Sequence, residues 1–133
     1  MLDKEAHQLG EFLDREFVTP ILQQFSSQYG LEMPSTSLQV QCAYYSTPFH
    51  LAPHTDKGFF EGIIGLANGL TIYPSHDNQP VQVDLKTGDI LLYTGLEFQD
   101  FYSDRISNVP LPLLHSVEAD AGRMSILMAY LLP

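Results

Sequence analysis

The chain has 133 residues, a formal net charge of −10 from six Lys and Arg against sixteen Asp and Glu, and one cysteine, Cys42. An apolar share of 44% suits a single domain, 1–133, with a core of its own. The charge balance argues against a basic patch for nucleic acid or anionic lipid, the lone cysteine excludes an internal disulfide, and there is no leader-like or bilayer-length apolar run. A soluble, cytoplasmic chain with no nucleic-acid or membrane partner is expected.

Residues 1–30 carry a helical pattern. Leu2, Ala6, Leu9, Leu13 and Phe17 recur three or four apart, with Glu5, Glu11, Asp14 and Glu16 between them, which predicts an amphipathic helix. Thr19-Pro20 should interrupt it, Thr19 as N-cap and Pro20 at the first position of a second helical segment carrying Ile21, Leu22 and Phe25. Gly30 is placed to stop that segment.

After Pro34 the period falls to two. Leu38, Val40, Cys42 and Tyr44 alternate with Gln39, Gln41 and Ala43, as on a strand. Further strands are expected around His54–Asp56 and over Phe59–Leu66, Leu70–Tyr73, Val81–Leu85, Asp89–Thr94, Leu114–Val117 and Arg123–Leu132. Turn residues separate them, as in Pro74-Ser-His-Asp-Asn-Gln-Pro80 and Lys86-Thr-Gly-Asp89. Many short strands between turns predict a sandwich, barrel or jelly roll. Leu70, Ile72, Leu92 and Leu127 are expected in its core, lining or backing any pocket. Gly95–Pro112 is the longest irregular stretch and reads as a loop over a site.

Two of the five histidines lie in His50-Leu-Ala-Pro-His-Thr-Asp56. On a strand, residues two apart share a face, so His54 and Asp56 would project together. Imidazole with carboxylate suits a divalent transition metal, although the pair alone is equally a surface pair beside a turn. A third ligand must come from elsewhere. His7 falls on the helical segment, His76 in a polar turn, and His50 between two prolines. His115 sits inside a late apolar strand, as a core histidine or as a ligand.

In Arg123-Met-Ser125 the two polar residues again share a strand face, and Arg123 enters an otherwise apolar strand. Its partner is either Glu118 or Asp120 across the preceding turn, or a ligand carboxylate met by the guanidinium fork, with the Ser125 hydroxyl as a further donor.

Taken in order, His54-x-Asp56, His115 and Arg123-x-Ser125 resemble the motif set of the iron(II)- and 2-oxoglutarate-dependent dioxygenases, in the branch containing isopenicillin N synthase and the plant flavonoid and hormone oxygenases. Ala43-Tyr-Tyr45 is similar to that family's Asn-Tyr-Tyr element, Asn68-Gly-Leu70 to its Gly-Gly-Leu turn and Gly88-Asp89 to its Gly-Asp pair. The resemblance spans about residues 38–133. It implies a mainly β fold, a cupin-like double-stranded β-helix (jelly roll) over 38–133, with the helical segment 1–30 packed on the sheet. It also implies His54, Asp56 and His115 as Fe(II) ligands at the catalytic centre, Arg123 and Ser125 as holders of the distal carboxylate of 2-oxoglutarate, and Tyr45 as a further contact to that cosubstrate. His50 is then a bystander. The implied reaction consumes O2 and 2-oxoglutarate, releases succinate and CO2, and oxidises, usually by hydroxylation, a small organic substrate. The sequence departs from the family's pattern at Ala43, where asparagine is usual, and at Ser116, where arginine is. Two rival readings keep the scaffold: a metal- or ligand-binding module without turnover, and an Fe(II)/O2 oxidase that does not use 2-oxoglutarate.

Overall fold

The computed structural model describes residues 2–65, 68–75 and 79–133, with side chains from Lys4 onward; His76 and Leu66 lie outside the described residues. Helix α1 (Leu2–Leu13) runs into α2 (Thr19–Tyr29) through a π-helical turn, Asp14–Val18. A second segment does begin at Thr19-Pro20 as expected, but the backbone stays helical across the boundary and Thr19 is not its N-cap. Thr19 keeps helical angles, its N–H bonds the carbonyl of Asp14, and its hydroxyl donates to Asp14 Oδ1 at 2.8 Å. Proline cannot donate to an α-helical ladder, and a π turn is one way to carry the chain past it. The extra residue also rotates the apolar face, so Val18 is buried while Phe17 stays 52% exposed. Gly30 ends α2 in the left-handed conformation, φ 65°, as the sequence suggested.

Among the described residues eight strands follow: β1 (Ser37–Tyr45), β2 (Phe49–His54), β3 (Phe60–Ile64), β4 (Leu70–Tyr73), β5 (Val81–Val83), β6 (Ile90–Thr94), β7 (Leu114–Ala119) and β8 (Arg123–Leu131). They form two four-stranded sheets, ordered β1-β8-β3-β6 and β2-β7-β4-β5, antiparallel at every pairing. Gly95–Pro112 is not wholly irregular: Leu96–Tyr102 forms a short helix, α3. Its Phe98 and Tyr102 are buried in a cluster with Phe59 and Phe60, and that aromatic packing fixes the segment. No helix among the described residues is long and apolar enough to cross a membrane.

The strand period of two divides the β8 side chains between two cores. Ile126, Met128 and Tyr130 face a core shared with Ala6, Val18 and α3, on the helix side of the first sheet. Arg123, Ser125 and Leu127 face a cavity whose other wall is Leu51, Leu70, His115 and Val117 of the second sheet. Leu70 and Leu127 thus line the pocket as expected and Ile72 packs behind it, but Leu92 belongs to the helix-side core, because β6 turns Leu91 and Tyr93 inward instead.

Candidate metal centre

The position of His54 depends on a bulge. Leu51 pairs with Val117 but His54 pairs with His115, so β2 spends three residues where β7 spends two. Pro53 offers no N–H to the ladder, which favours such an irregularity. Leu51 and His54 consequently both line the cavity although they are three apart, and His54 stands opposite His115 with ring centroids 4.3 Å apart. β2 ends at His54 and Asp56 lies just past it, so the expected strand face shared by these two residues is replaced by bulge plus loop.

The Asp56 loop is fixed through its backbone. Leu96 N–H donates to the Asp56 carbonyl and Glu97 N–H to that of Lys57, both at 2.9 Å. Gly95 makes this approach possible: a Cβ there would collide with the carbonyl of Gly58 and lie 2.9 Å from that of Asp56. Phe59 N–H then bonds the Tyr130 carbonyl at 2.7 Å, tying the loop to β8.

His54, Asp56 and His115 each offer one ligand atom, and these atoms lie within 4.8 Å of one another. His54 Nε2 is 3.7 Å from Asp56 Oδ1, and His115 Nε2 is 3.3 Å from Asp56 Oδ2. Both Nδ1 atoms face backbone carbonyls, Ala52 at 2.8 Å for His54 and Leu113 at 2.9 Å for His115. A proton on each Nδ1 satisfies those carbonyls and leaves each Nε2 with a lone pair turned to the centre, as a metal requires. The donor set fits the group: two neutral imidazoles and one carboxylate suit a divalent transition ion and leave coordination positions for other ligands.

The charges tell the same story. Burial pushes the Asp56 carboxyl up, but hydrogen bonds with His115 and Tyr93 and the two neighbouring imidazoles outweigh it and hold Asp56 below the usual carboxylate range. Burial likewise disfavours charge on His115, yet its contact with Asp56 wins and raises its pKa.

Arg123 is only 8% exposed. Its Nε donates to the Asn68 carbonyl at 2.8 Å, and Nη1 lies 3.5 Å from Ser125 Oγ. Among the described residues its guanidinium forms no ion pair with Glu118 or Asp120: the Asp120 carbonyl accepts only the Arg123 backbone N–H, at 3.1 Å, and Glu118 pairs with His50. Burial pulls the Arg123 pKa down, and no carboxylate among the described residues offsets this. Tyr45, Arg123 and Ser125 line the same cavity as His54, Asp56 and His115. That cavity is small, about 60 Å3. His50 is exposed and stands apart from the triad, and His7 is exposed on α1.

Two neighbours of the centre escaped the sequence reading. Tyr93 donates its hydroxyl to Asp56 Oδ2 at 2.6 Å, and burial with the Asp56 charge keeps that phenol protonated. Glu61 lies beside Tyr93 in the β3–β6 register. It is a charged residue in the apolar run Phe60-Glu-Gly-Ile-Ile64, the signal that drew attention to Arg123. Neither a family model nor a curated protein matches the chain.

Proposed function

We propose that the chain is a non-haem Fe(II)- and 2-oxoglutarate-dependent oxygenase, hydroxylating a small organic substrate. The observation that carries this reading is Arg123: a buried guanidinium with no carboxylate partner among the described residues, facing the cavity that also holds the His54–Asp56–His115 group. Burying an unpaired charge is unfavourable by several kcal/mol unless a ligand compensates it, and a dicarboxylate cosubstrate supplies the missing anion. The strand order β1-β8-β3-β6 over β2-β7-β4-β5 supports a double-stranded β-helix, in which ligands from separate strands converge on one point.

His54 and His115 would hold iron through Nε2 and Asp56 through one carboxylate oxygen, while Tyr93 keeps the other oxygen occupied. Arg123 has its Nε committed to Asn68, so its terminal N–H groups are presented to the distal carboxylate, with Ser125 beside them. Tyr45, at the same wall, lies within reach of that carboxylate. When bound, iron(II) and 2-oxoglutarate supply dioxygen activation coupled to decarboxylation to succinate and CO2. The residues that line the cavity, Leu51, Ile63, Leu70, Val117 and Leu127 among them, limit the access of water.

The cavity volume favours a second reading. The inner cavity is small, about 60 Å3, and a centre that takes metal and a smaller anion, without turnover, needs less room than one that takes 2-oxoglutarate. Anaerobic titration with iron(II) and then 2-oxoglutarate separates the two. The proposed function requires the visible charge-transfer band of the chelate. Iron binding with no band and no heat from 2-oxoglutarate would overturn it in favour of the second reading.

A further inference from the structure

The inner face of the first sheet continues beyond the metal centre into an open groove of about 370 Å3, within the range usual for ligand sites. Asp56, Tyr93 and Leu127 line both this groove and the inner cavity, so the groove reaches the metal centre from the outside. Its walls are Leu127, Ala129 and Leu131 of β8, with the amides of Gln39 and Gln41 on β1 at one side. One ionisable side chain in it is almost wholly buried. Glu61 is 8% exposed and sits between Ala129 and Tyr93 in the register of β3 with its two neighbours.

The hydrogen bonding of Glu61 is half complete. Its Oε1 accepts the Gly58 N–H at 2.8 Å. Among the described residues no other hydrogen bond or ion pair reaches this carboxylate, and Lys57, which also lines the groove, does not pair with it. A carboxylate held in place at one oxygen, with the other oxygen bordering an open groove, is well arranged for a donor from outside. Burial, with the Asp56 and Glu97 charges nearby, pushes the Glu61 carboxyl up to about 7, which fits a site whose negative charge lacks a protein partner. Leu127, Ala129 and Leu131 form one apolar wall beside Glu61, which suits a hydrocarbon chain carrying the donor.

We infer that Glu61 is a specificity residue that binds the ammonium group of an aliphatic amine in this groove, placing the amine's carbon chain toward the metal centre. That the bound amine is the compound oxidised rests on the proposed oxygenase function; that the groove binds an amine does not. The metal-free full-length chain at pH 8 therefore provides the test, with n-pentylamine, protonated at that pH, against its neutral counterpart n-pentanol, each titrated calorimetrically. A charge-assisted hydrogen bond to a buried carboxylate should favour the amine about ten- to a hundredfold. Glu61→Gln keeps an acceptor for Gly58 N–H but removes the charge, and should bring the two affinities within a few-fold of each other. Equal affinities in the wild type, or a preference for the amine that survives Glu61→Gln, would overturn the inference. If Glu61→Gln unfolds, the wild-type comparison decides by itself. An amine preference in a protein that forms no iron–2-oxoglutarate chelate would leave the amine site standing and remove the oxygenase reading.

Discussion

Replacing Arg123 by Gln separates a cosubstrate site from a structural arginine. Of the five guanidinium N–H groups, the Nε donor is used by Asn68 at 2.8 Å, and the Nη1 contact to Ser125, at 3.5 Å, is too long to bind strongly. The terminal edge is thus available for two parallel bonds to a carboxylate. Gln keeps at most one donor and no charge. Losing one charge-assisted bond costs about 1.5–3 kcal/mol, which lowers 2-oxoglutarate affinity roughly ten- to a hundredfold or more at about 1.4 kcal/mol per decade. Lys should restore only part of this, because an ammonium cannot reproduce the planar fork. Stability should respond differently. No carboxylate is left unpaired by the change, and a buried charge is removed, so the loss of the Asn68 bond is largely offset. The shift in Tm should stay within about 4 °C, near what ~1 kcal/mol produces in a domain of this size. Calorimetric titration of 2-oxoglutarate into anaerobic iron(II)-loaded wild type and Arg123→Gln, with thermal unfolding of both, measures the two effects. Equal 2-oxoglutarate affinities accompanied by a large drop in Tm would refute the assignment.

Asp56→Ala removes the only anionic donor of the triad and should weaken iron binding severely, whereas His50→Ala, which breaks an exposed pair with Glu118, should leave it within twofold; fluorescence-monitored metal titration gives both. Tyr93→Phe frees the second Asp56 oxygen and should lower metal affinity about ten- to a hundredfold while keeping the fold, since only a hydroxyl is lost; unchanged affinity would show that Tyr93 does not position Asp56. The pH dependence has opposite signs with and without metal. The His115 pKa is raised, so its proton stabilises the metal-free fold below about pH 6.5, the unfolded value, and that stability is lost as pH rises through the folded value. Metal displaces this proton, so iron affinity should climb as pH rises through the same window; affinity flat from pH 6 to 8 would argue that histidine is not a ligand.

The strands were largely legible because alternation and turn residues are local signals; His115 and Arg123 stood out as polar residues in apolar strands, but only the family resemblance joined His115 to His54 and Asp56. What was missed depends on non-local geometry. The bulge before His54 follows from pairing β2 with β7, and no inspection of His54-x-Asp56 reveals that three residues oppose two. The π-helical turn at Asp14–Val18, which buries Val18 beside α1's Ala6 in the helix-side core, has no local sequence signal, so Thr19-Pro20 looked like a boundary. Helix α3 is only seven residues long and is held by aromatic packing that its own sequence cannot specify. The ion pair of Arg123 with Glu118 or Asp120, open from the sequence, was decided by where the β8 face points. Glu61 differs from these, since a lone acid in an apolar strand was as visible as Arg123.

The clamp that α3 places on the Asp56 loop also bears on the thermodynamics of loading. The Asp56 and Lys57 carbonyls are bonded to the first N–H groups of a helix whose Phe98 and Tyr102 lie in the same aromatic cluster as Phe59, a residue with no exposed surface three positions after Asp56. The ordering entropy of the carboxylate ligand is therefore spent when the chain folds. Metal uptake should bury almost no additional apolar surface, and its heat-capacity change should be close to zero, unlike that of a centre that folds around its ion. The same linkage makes the aromatic cluster a remote determinant of affinity: Phe98→Ala, on the far side of the first sheet from the ligand atoms, should loosen the loop and introduce the heat-capacity change that the intact protein lacks.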